Sequence, residues 1–244
     1  MIFRERLSIC VLSENNKKAT NILLSATYVK KAFSLAEVMI TLVIIGIIGV
    51  MVVPLIEQVT GRHETVVRVK KASSVLGQAI YKIAVQEGLP VGDYGYITED
   101  GDSEFFERFS NVVEHIRICR GTPSGCLAVS EIKQLNGRPM SGFTTKNSLV
   151  ARDGIAYGWD KNACPGKGLS ADDEENCIGC FIVDVNGDKK PNRYGYDLFF
   201  FLVVDRKGIV PAGKGNHSAD CRRSGIGAQC TSKVIDEEGI NYLY

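Results

Sequence analysis

The sequence is poor in the residues from which catalytic sites are usually built. Its 244 residues include three histidines, His63, His115 and His217, and none has a carboxylate and a nucleophile arranged around it. The glycine-containing stretch 166–170 (GKGLS) lacks the upstream glycine spacing of a phosphate-binding loop. No internal repeat and no low-complexity tract is present. We therefore expect that the chain is not an enzyme.

Excess positive charge is absent after residue 32. The formal net charge is +1, from 29 Lys and Arg against 28 Asp and Glu. Residues 1–32 contain six basic and two acidic side chains, a net charge of +4, so the side chains of the remaining residues sum to −3. A strongly basic region is the usual electrostatic signature of nucleic-acid binding. We expect no basic face in this part of the chain and no nucleic-acid partner.

One long apolar run dominates the first quarter of the chain. Residues 38–56 contain no charge over 19 positions, close to the ~20 that cross a bilayer core as a helix. Lys30 and Lys31 precede the run, which predicts a cytoplasmic N-terminal side and a translocated remainder. The first 32 residues lack the apolar core of a secretory signal and are interpreted as a polar leader.

Glu37 is a carboxylate one turn inside the start of this apolar helix. Ionisable groups in membrane segments usually have a function. The alternative interpretation is that Glu37 simply reaches the lipid headgroups.

Helical periodicity continues beyond the apolar run. Apolar residues recur at spacings of three, four and seven: Val59, Val66, Val69, Ala72, Leu76, Ala79, Ile80 and Ile83. Gly88 and Pro90 then predict the end of the helix, so that it extends from Phe33 to Glu87. Gly46, Gly49 and Pro54 weaken it, since glycine costs roughly 1 kcal/mol and proline about 3 kcal/mol in a helix interior.

The remaining residues predict an α+β domain. Asp102 or Ser103 is expected to cap a short helix, which would also contain His115 and whose apolar face would be Phe105, Phe109, Val112, Val113 and Ile116. Short strand-like runs follow at 148–151, 154–159, 180–185, 196–205 and 208–210. The run 199–204 (FFFLVV) is apolar at every position, which indicates a central strand.

Seven cysteines follow residue 32, in a part of the chain expected to be translocated and therefore to keep disulfides. The short loops Cys119–Cys126 and Cys221–Cys230 pair most economically, with Cys164 reaching Cys177 or Cys180. The odd number leaves one thiol over or pairs it between subunits.

Cys177 and Cys180 form a Cys-x-x-Cys motif, which raises the possibility of a thiol oxidoreductase. Redox motifs of this kind normally open a helix, whereas residues 181–185 read as a strand. No second such motif exists to complete a zinc site. A structural disulfide partner is the favoured interpretation.

A loop rich in short oxygen-bearing side chains is expected between two strands. Asp184, Asn186, Asp188 and Asp197 supply the ligands that Ca²⁺ prefers, although the spacing is not that of an EF-hand. The alternative is a hairpin turn in which Asx side chains bond their own backbone. Both interpretations stay open.

The block at residues 30–37 (KKAFSLAE) resembles the processing site of type IV pilins and type II secretion pseudopilins. Phe33, the acid Glu37 five residues into the mature chain, and Pro54, twenty-one residues beyond Phe33, match the family pattern. Ala32 stands where the family usually has glycine. The resemblance implies cleavage between Ala32 and Phe33 by a prepilin peptidase, followed by N-methylation of Phe33.

The resemblance also implies a fold and an organisation. The expected fold is pilin-like, with a long N-terminal helix whose second half packs on an antiparallel sheet, followed by a disulfide-braced C-terminal region. The leader would be 1–32, the transmembrane and assembly helix 33–56, the amphipathic continuation 57–90 and the globular domain 91–244.

The implied function is structural: a minor subunit of a type IV pilus or type II secretion pseudopilus. It would be held in the bacterial inner membrane and assembled into a filament by a platform protein. Glu37 would pair with the Phe33 amine of a neighbouring subunit. The stretch 46–54 would unwind on assembly, the alternative being a membrane helix that is kinked there. The resemblance also implies calcium, because the family's major pseudopilins bind it in their C-terminal loops. The alternative function is an uncleaved, membrane-anchored, calcium-dependent adhesive protein.

Overall fold

The computed structural model describes most of the chain from Ser34 onward, namely residues 34–89, 93–94, 97, 101–122, 124–127, 131–140, 145–161, 175–187, 189–215 and 220–243. Side chains at 53–60, 62 and 102 are excluded from this description. The chain divides into two compact units, Met1–Glu57 and Gln58–Tyr244.

Three α-helices and six strands are described. The helices are α1 (Leu35–Gln86), α2 (Asp102–Val112) and α3 (Cys230–Glu237), with a short 3₁₀ turn at Asn241–Leu243. The strands are β1 (His115–Cys119), β2 (Asn147–Ala151), β3 (Ala156–Asp160), β4 (Cys177–Asp184), β5 (Leu198–Val204) and β6 (Gly208–Pro211). The predicted α+β class is confirmed.

Helix α1 has an unbroken helical backbone through Gly46, Gly49 and Pro54. It ends at Gln86, one residue before the predicted end at Glu87. Gly88, which was predicted to stop the helix, adopts a left-handed φ of +69° that favours glycine. The N–H of Leu89 then donates to the carbonyl of Ala84 at 2.9 Å, and that of Gly88 to Val85 at 3.3 Å. These two bonds satisfy carbonyls that the helix end leaves without an intrahelical donor.

The six strands form one antiparallel sheet in sequence order, β1-β2-β3-β4-β5-β6. The five predicted strand runs are confirmed as β2 to β6. The sequence does not predict strand β1, because it places the first two residues of that strand, His115 and Ile116, on α2. The backbone becomes extended at Val113, and the side chain of Ile116 is 68% exposed on β1, so neither His115 nor Ile116 belongs to a helix.

The predicted cap of α2 is also wrong. Gly101 is the N-cap residue, no side chain caps this end, and the Gly101 carbonyl accepts the N–H groups of Glu104 and Phe105. The apolar face itself is real: Phe105 and Phe109 are fully buried.

The main core lies on one face of the sheet. The second half of α1 buries Val66, Val69, Ala72, Leu76, Ala79, Ile80 and Ile83 against it, as their periodicity predicted; the Val59 side chain falls outside the described residues. Helix α2 adds Phe105 and Phe109, whose rings lie 4.5 Å from Trp159 and 4.7 Å from Phe181 between centroids. Burial of each such side chain stabilises the fold by roughly 1.5–3 kcal/mol.

A second core covers the opposite face of the sheet. It contains Leu198, Phe200, Leu202 and Val204 of β5, packed with residues of other segments: Ile132, Cys180, Ile182, Tyr194, Ala212 and Ala228. Strand β5 is therefore buried on both faces and paired on both edges, by β4 and β6. This arrangement explains why its sequence is apolar at every position.

Candidate functional site

The first part of α1 has an apolar surface on all sides. The segment Leu35–Val52 has a mean hydropathy of 2.6, and none of it is buried in the structure. Thirteen large apolar side chains between Leu35 and Val52 are 41–85% exposed. By length and composition this segment can cross a membrane, consistent with a single-pass membrane anchor.

Two reciprocal hydrogen bonds close the N-terminus of this helix. The N–H of Ser34 donates to Glu37 Oε2 at 2.9 Å, and the N–H of Glu37 donates to Ser34 Oγ at 3.2 Å. This is a capping box, which satisfies two backbone donors that a helix start otherwise leaves unpaired. The signal was present in the sequence as Ser-x-x-Glu before an apolar run. This cap is a role of Glu37 additional to headgroup contact and to pairing with Phe33.

The other residues of the predicted processing and assembly site are only partly described. Ala32 and Phe33 lie outside the described residues, and Pro54 has helical backbone but no described side chain. Gly46 lies on the exposed helix, and a Cβ there would meet no atom within 4 Å. Nothing within the described chain thus requires glycine at this position for space.

The loop after β4 is organised around the carboxylate of Asp197. Its Oδ2 accepts the backbone N–H of Asn192 at 2.8 Å and the side-chain amide of Asn186 at 3.2 Å, and its Oδ1 accepts the N–H of Arg193 at 2.5 Å. Asp184 Oδ1 accepts the N–H of Asn186 at 3.2 Å. Asp197 is almost fully buried, and this burial raises the pKa of its carboxyl to about 6, against the lowering effect of its hydrogen bonds.

These contacts belong to a turn braced by Asx side chains, the alternative interpretation of this loop. Three of the four predicted calcium ligands come together in it, and the fourth, Asp188, lies outside the described residues. Among the described residues, no group of three or more His, Cys, Asp or Glu is placed to hold a metal ion. Calcium binding stays a prediction.

Both short disulfides are confirmed. Cys119 at the end of β1 is bonded to Cys126, and Cys221 is bonded to Cys230, the first residue of α3. Cys164 lies outside the described residues.

The Cys-x-x-Cys motif lies on strand β4, as predicted. Cys177 and Cys180, both in the described part of the chain, are not bonded to each other. Cys177 is half-buried, whereas Cys180 is fully buried in the second core. Burial in apolar surroundings makes a thiol unreactive. The arrangement therefore gives no support to a thiol oxidoreductase.

Comparison with protein-family models, with curated proteins and with solved structures finds no match to this chain.

Proposed function

We propose that this chain is a subunit, of the minor type, of a type IV pilus or a type II secretion pseudopilus. The observation that carries the proposal is the exposed apolar helix Leu35–Val52, capped by Ser34 and Glu37. In the sequence it directly follows the Lys-Lys-Ala/Phe block that resembles a prepilin processing site. A helix that is apolar on every side suits a segment that leaves the lipid bilayer and then packs against the same helix of other subunits.

The energetics of this segment support assembly. Thirteen exposed apolar side chains need cover from lipid or from other helices, and such cover is worth on the order of tens of kcal/mol in total at roughly 1.5–3 kcal/mol for each side chain. The described sheet and cores belong to residues from Val66 onward. The subunit would therefore anchor in the inner membrane by the first part of α1 and present the second unit outside the cytoplasm.

The capping box holds the Glu37 carboxylate in a defined position before the subunit assembles. One carboxylate oxygen already accepts a backbone N–H at the positive end of the helix dipole, which lowers the cost of a charge near the lipid. After cleavage, the new amine of Phe33 would be one residue from Ser34. We assign Glu37 the role of pairing with the Phe33 amine of a neighbouring subunit, which would favour one register of insertion.

The rest of the fold supports a pilin-like architecture. The second half of α1 packs on an antiparallel sheet, and a disulfide closes the region before α3. We place the assembly platform, the prepilin peptidase and other pilin-like subunits among its partners.

The deciding experiment is the intact mass of the membrane form after co-expression with a prepilin peptidase. We expect loss of residues 1–32, with an added methyl group where the enzyme also methylates. Ala32→Glu should block the shift, because the small residue before the cut is lost. Ala26→Glu, the same change inside the leader but away from the cut, should be processed normally.

A full-length membrane form in the presence of the active peptidase would contradict the proposal. That result would favour an uncleaved membrane-anchored binding protein. A mature chain that begins at a residue other than Phe33 would contradict the assigned cleavage site.

A further inference from the structure

A cleft of about 330 Å³ lies in the second unit, beside the second half of α1. Helix α1 lines it with one stripe of side chains from Lys71 to Lys82, which spans roughly 16 Å at 1.5 Å per residue. The opposite wall is formed by residues 112–114, where α2 ends, and by residues 151–153, where β2 turns toward β3. We call this feature the α1 cleft.

The floor of the α1 cleft is apolar and built from small side chains. It consists of Val75 and Ala79 of α1, Val112 and Val113 at the end of α2, and Ala151 at the end of β2. Val75 and Val112 are half-buried and pack against the main core, so part of their apolar surface remains exposed. The two alanines leave room that a longer side chain would fill. The floor can therefore receive an apolar side chain from outside.

The sheet wall of the cleft is fixed by its own hydrogen bonds. The N–H of Ala151 donates to the carbonyl of Ile155 at 2.9 Å, and the N–H of Gly154 donates to the carbonyl of Ala151 at 3.0 Å. The N–H of Ile155 donates to Asp153 Oδ1 at 3.1 Å. Lys71 then joins α1 to this wall through an ion pair with Asp153 at 2.7 Å. A cleft that is already ordered loses less entropy when it is filled.

The rim of the cleft has one positive charge in excess. It carries three cations, Lys71, Lys82 and Arg152, and two acids, Glu114 and Asp153. Lys71 pairs with Asp153 at 2.7 Å, and Arg152 pairs with Glu114 at 3.3 Å. Lys82 is exposed and forms no ion pair or side-chain hydrogen bond within the residues that the structure describes. The uncompensated charge is therefore the Lys82 ammonium group.

The shape and the charge of the cleft favour one kind of occupant. A volume of about 330 Å³ along α1 is too narrow for a helix, whose diameter with side chains is about 10–12 Å. About five residues of extended chain span roughly 16 Å at 3.3 Å per residue. A rim with a net charge of +1 suits one carboxylate and gives a polyanion little to bind.

We propose that the α1 cleft binds an extended segment of a partner protein in which an apolar side chain lies close to a carboxylate. The apolar side chain packs on Val75, Val112 and Ala151, and the carboxylate pairs with Lys82. This inference goes beyond the proposed function. It holds whether or not the chain is cleaved at Phe33, because the cleft belongs to the second unit alone.

The test is fluorescence anisotropy with the full, unprocessed chain in zwitterionic nanodiscs. The probes are labelled six-residue peptides of Gly and Ser that carry one Leu and one Asp, in both orders and at every spacing. We expect at least one spacing to bind saturably. In that peptide, Leu to Ser should weaken binding at least about 10-fold, as expected for a buried leucine. Asp to Asn should weaken it by about 2- to 5-fold, and high salt should remove this difference.

Variants of the chain connect the binding to the cleft. Ala151→Leu fills the floor and should weaken binding at least about 10-fold. Lys82→Glu should weaken binding of the Asp peptide and should prefer the same peptide with Lys in place of Asp, because the charges are then exchanged. Lys82 is exposed, so this variant should melt with the parent. The matched control is Lys146→Glu, the same change at an exposed lysine outside the cleft, which should bind like the parent.

The inference is overturned if no peptide of the set binds, or if Lys82→Glu and Lys146→Glu lose affinity equally. It is also overturned if free 4-methylpentanoate binds as tightly as the peptide, since the cleft would then be a site for a small carboxylate. A parent chain that dimerises, together with a monomeric Ala151→Leu variant, would assign the cleft to a second copy and would likewise overturn it. None of these outcomes changes the intact mass that tests the proposed function.

Discussion

Several carboxylates of this molecule accept backbone N–H groups, and each of them organises a local structure. Glu37 closes the start of α1, Asp220 gathers three N–H groups beside the Cys221–Cys230 bridge, and Asp197 holds the turn after β4. Hydrogen bonds to a charged acceptor are stronger than those to a neutral one. These three acids therefore each have a structural role in the folded chain.

Asp197 should make stability depend on pH in a defined window. Its folded pKa of about 6 exceeds the ordinary value of 3.8, so between these values the folded chain holds a proton that the unfolded chain has lost. Stability should therefore fall as pH rises from about 4 to about 6, by on the order of 3 kcal/mol, and then level off. Chemical denaturation of the full chain, with chelator present, measures this slope.

Asp197→Asn should remove most of that slope, because the amide does not titrate. The control is Asp236→Asn. Asp236 is an exposed acid on α3 that forms an ion pair with Lys214, and its substitution should leave the slope intact. A variant at 197 that keeps the full pH dependence would show that another group is responsible.

At the level of elements, the N-terminal end of α1 combines a helix cap with the proposed assembly contact. The two roles can be separated because Ser34 takes part only in the cap. Glu37→Ala should leave the protein inserted and cleaved but strongly reduce its entry into filaments. Ser34→Ala keeps the carboxylate and removes the hydroxyl acceptor, which should cost about 1 kcal/mol of local helix stability.

The measurement is the fraction of cleaved subunit recovered in sheared filaments, alongside the fraction in the membrane. We expect Ser34→Ala to assemble nearly as well as the parent. Equal assembly by Glu37→Ala would remove the pairing role from Glu37, and an equal defect in both variants would assign the effect to the cap.

Elements were predictable from sequence where periodicity was long or apolar content was extreme. The heptad-like spacing from Val66 to Ile83 and the uniform run of β5 each determined one structure. Strand β1 was not predictable in this way, since Val113 is buried with α2 while Ile116, three residues on, points to solvent. Helix α3 was missed because eight residues behind a disulfide show too few turns for a period.

At the scale of the whole molecule, sites assembled from separate segments were the least predictable. The Cys119–Cys126 and Cys221–Cys230 disulfides were predictable from the sequence because each closes a short loop. Residues 131–140 are hydrogen-bonded to residues 192–194 and to Gly225, and because up to about 90 positions separate the bonded residues, no window of the sequence shows this arrangement. The calcium prediction concerns a loop whose described contacts are local, and it needs a measurement on the intact fold.

Calcium should raise the melting temperature of the full chain if Asp184, Asn186, Asp188 and Asp197 bind it. An ion that binds only the folded loop stabilises it by about 2.7 kcal/mol at a hundredfold excess over Kd. Magnesium should substitute poorly, since it requires shorter bonds in a strict octahedron. The effect should strengthen as pH rises above 6, because a proton on Asp197 competes with the metal.

Thermal melts with calcium, with magnesium and with chelator decide the matter. Asp188→Ala should abolish the calcium shift, whereas Asp236→Ala should preserve it. Coinciding melting temperatures in the three conditions would leave the loop as an ordinary Asx-braced turn.

The double burial of β5 has a consequence for how the chain is produced. Seven consecutive apolar residues with no charge, no proline and three adjacent phenylalanines have the composition of segments that stack into cross-β aggregates when exposed. In the folded chain β4 and β6 occupy both edges of this strand, and the two cores cover both faces. Until those four neighbours are in place, the nascent domain exposes an amyloid-prone stretch, and its yield depends on how fast they close over it.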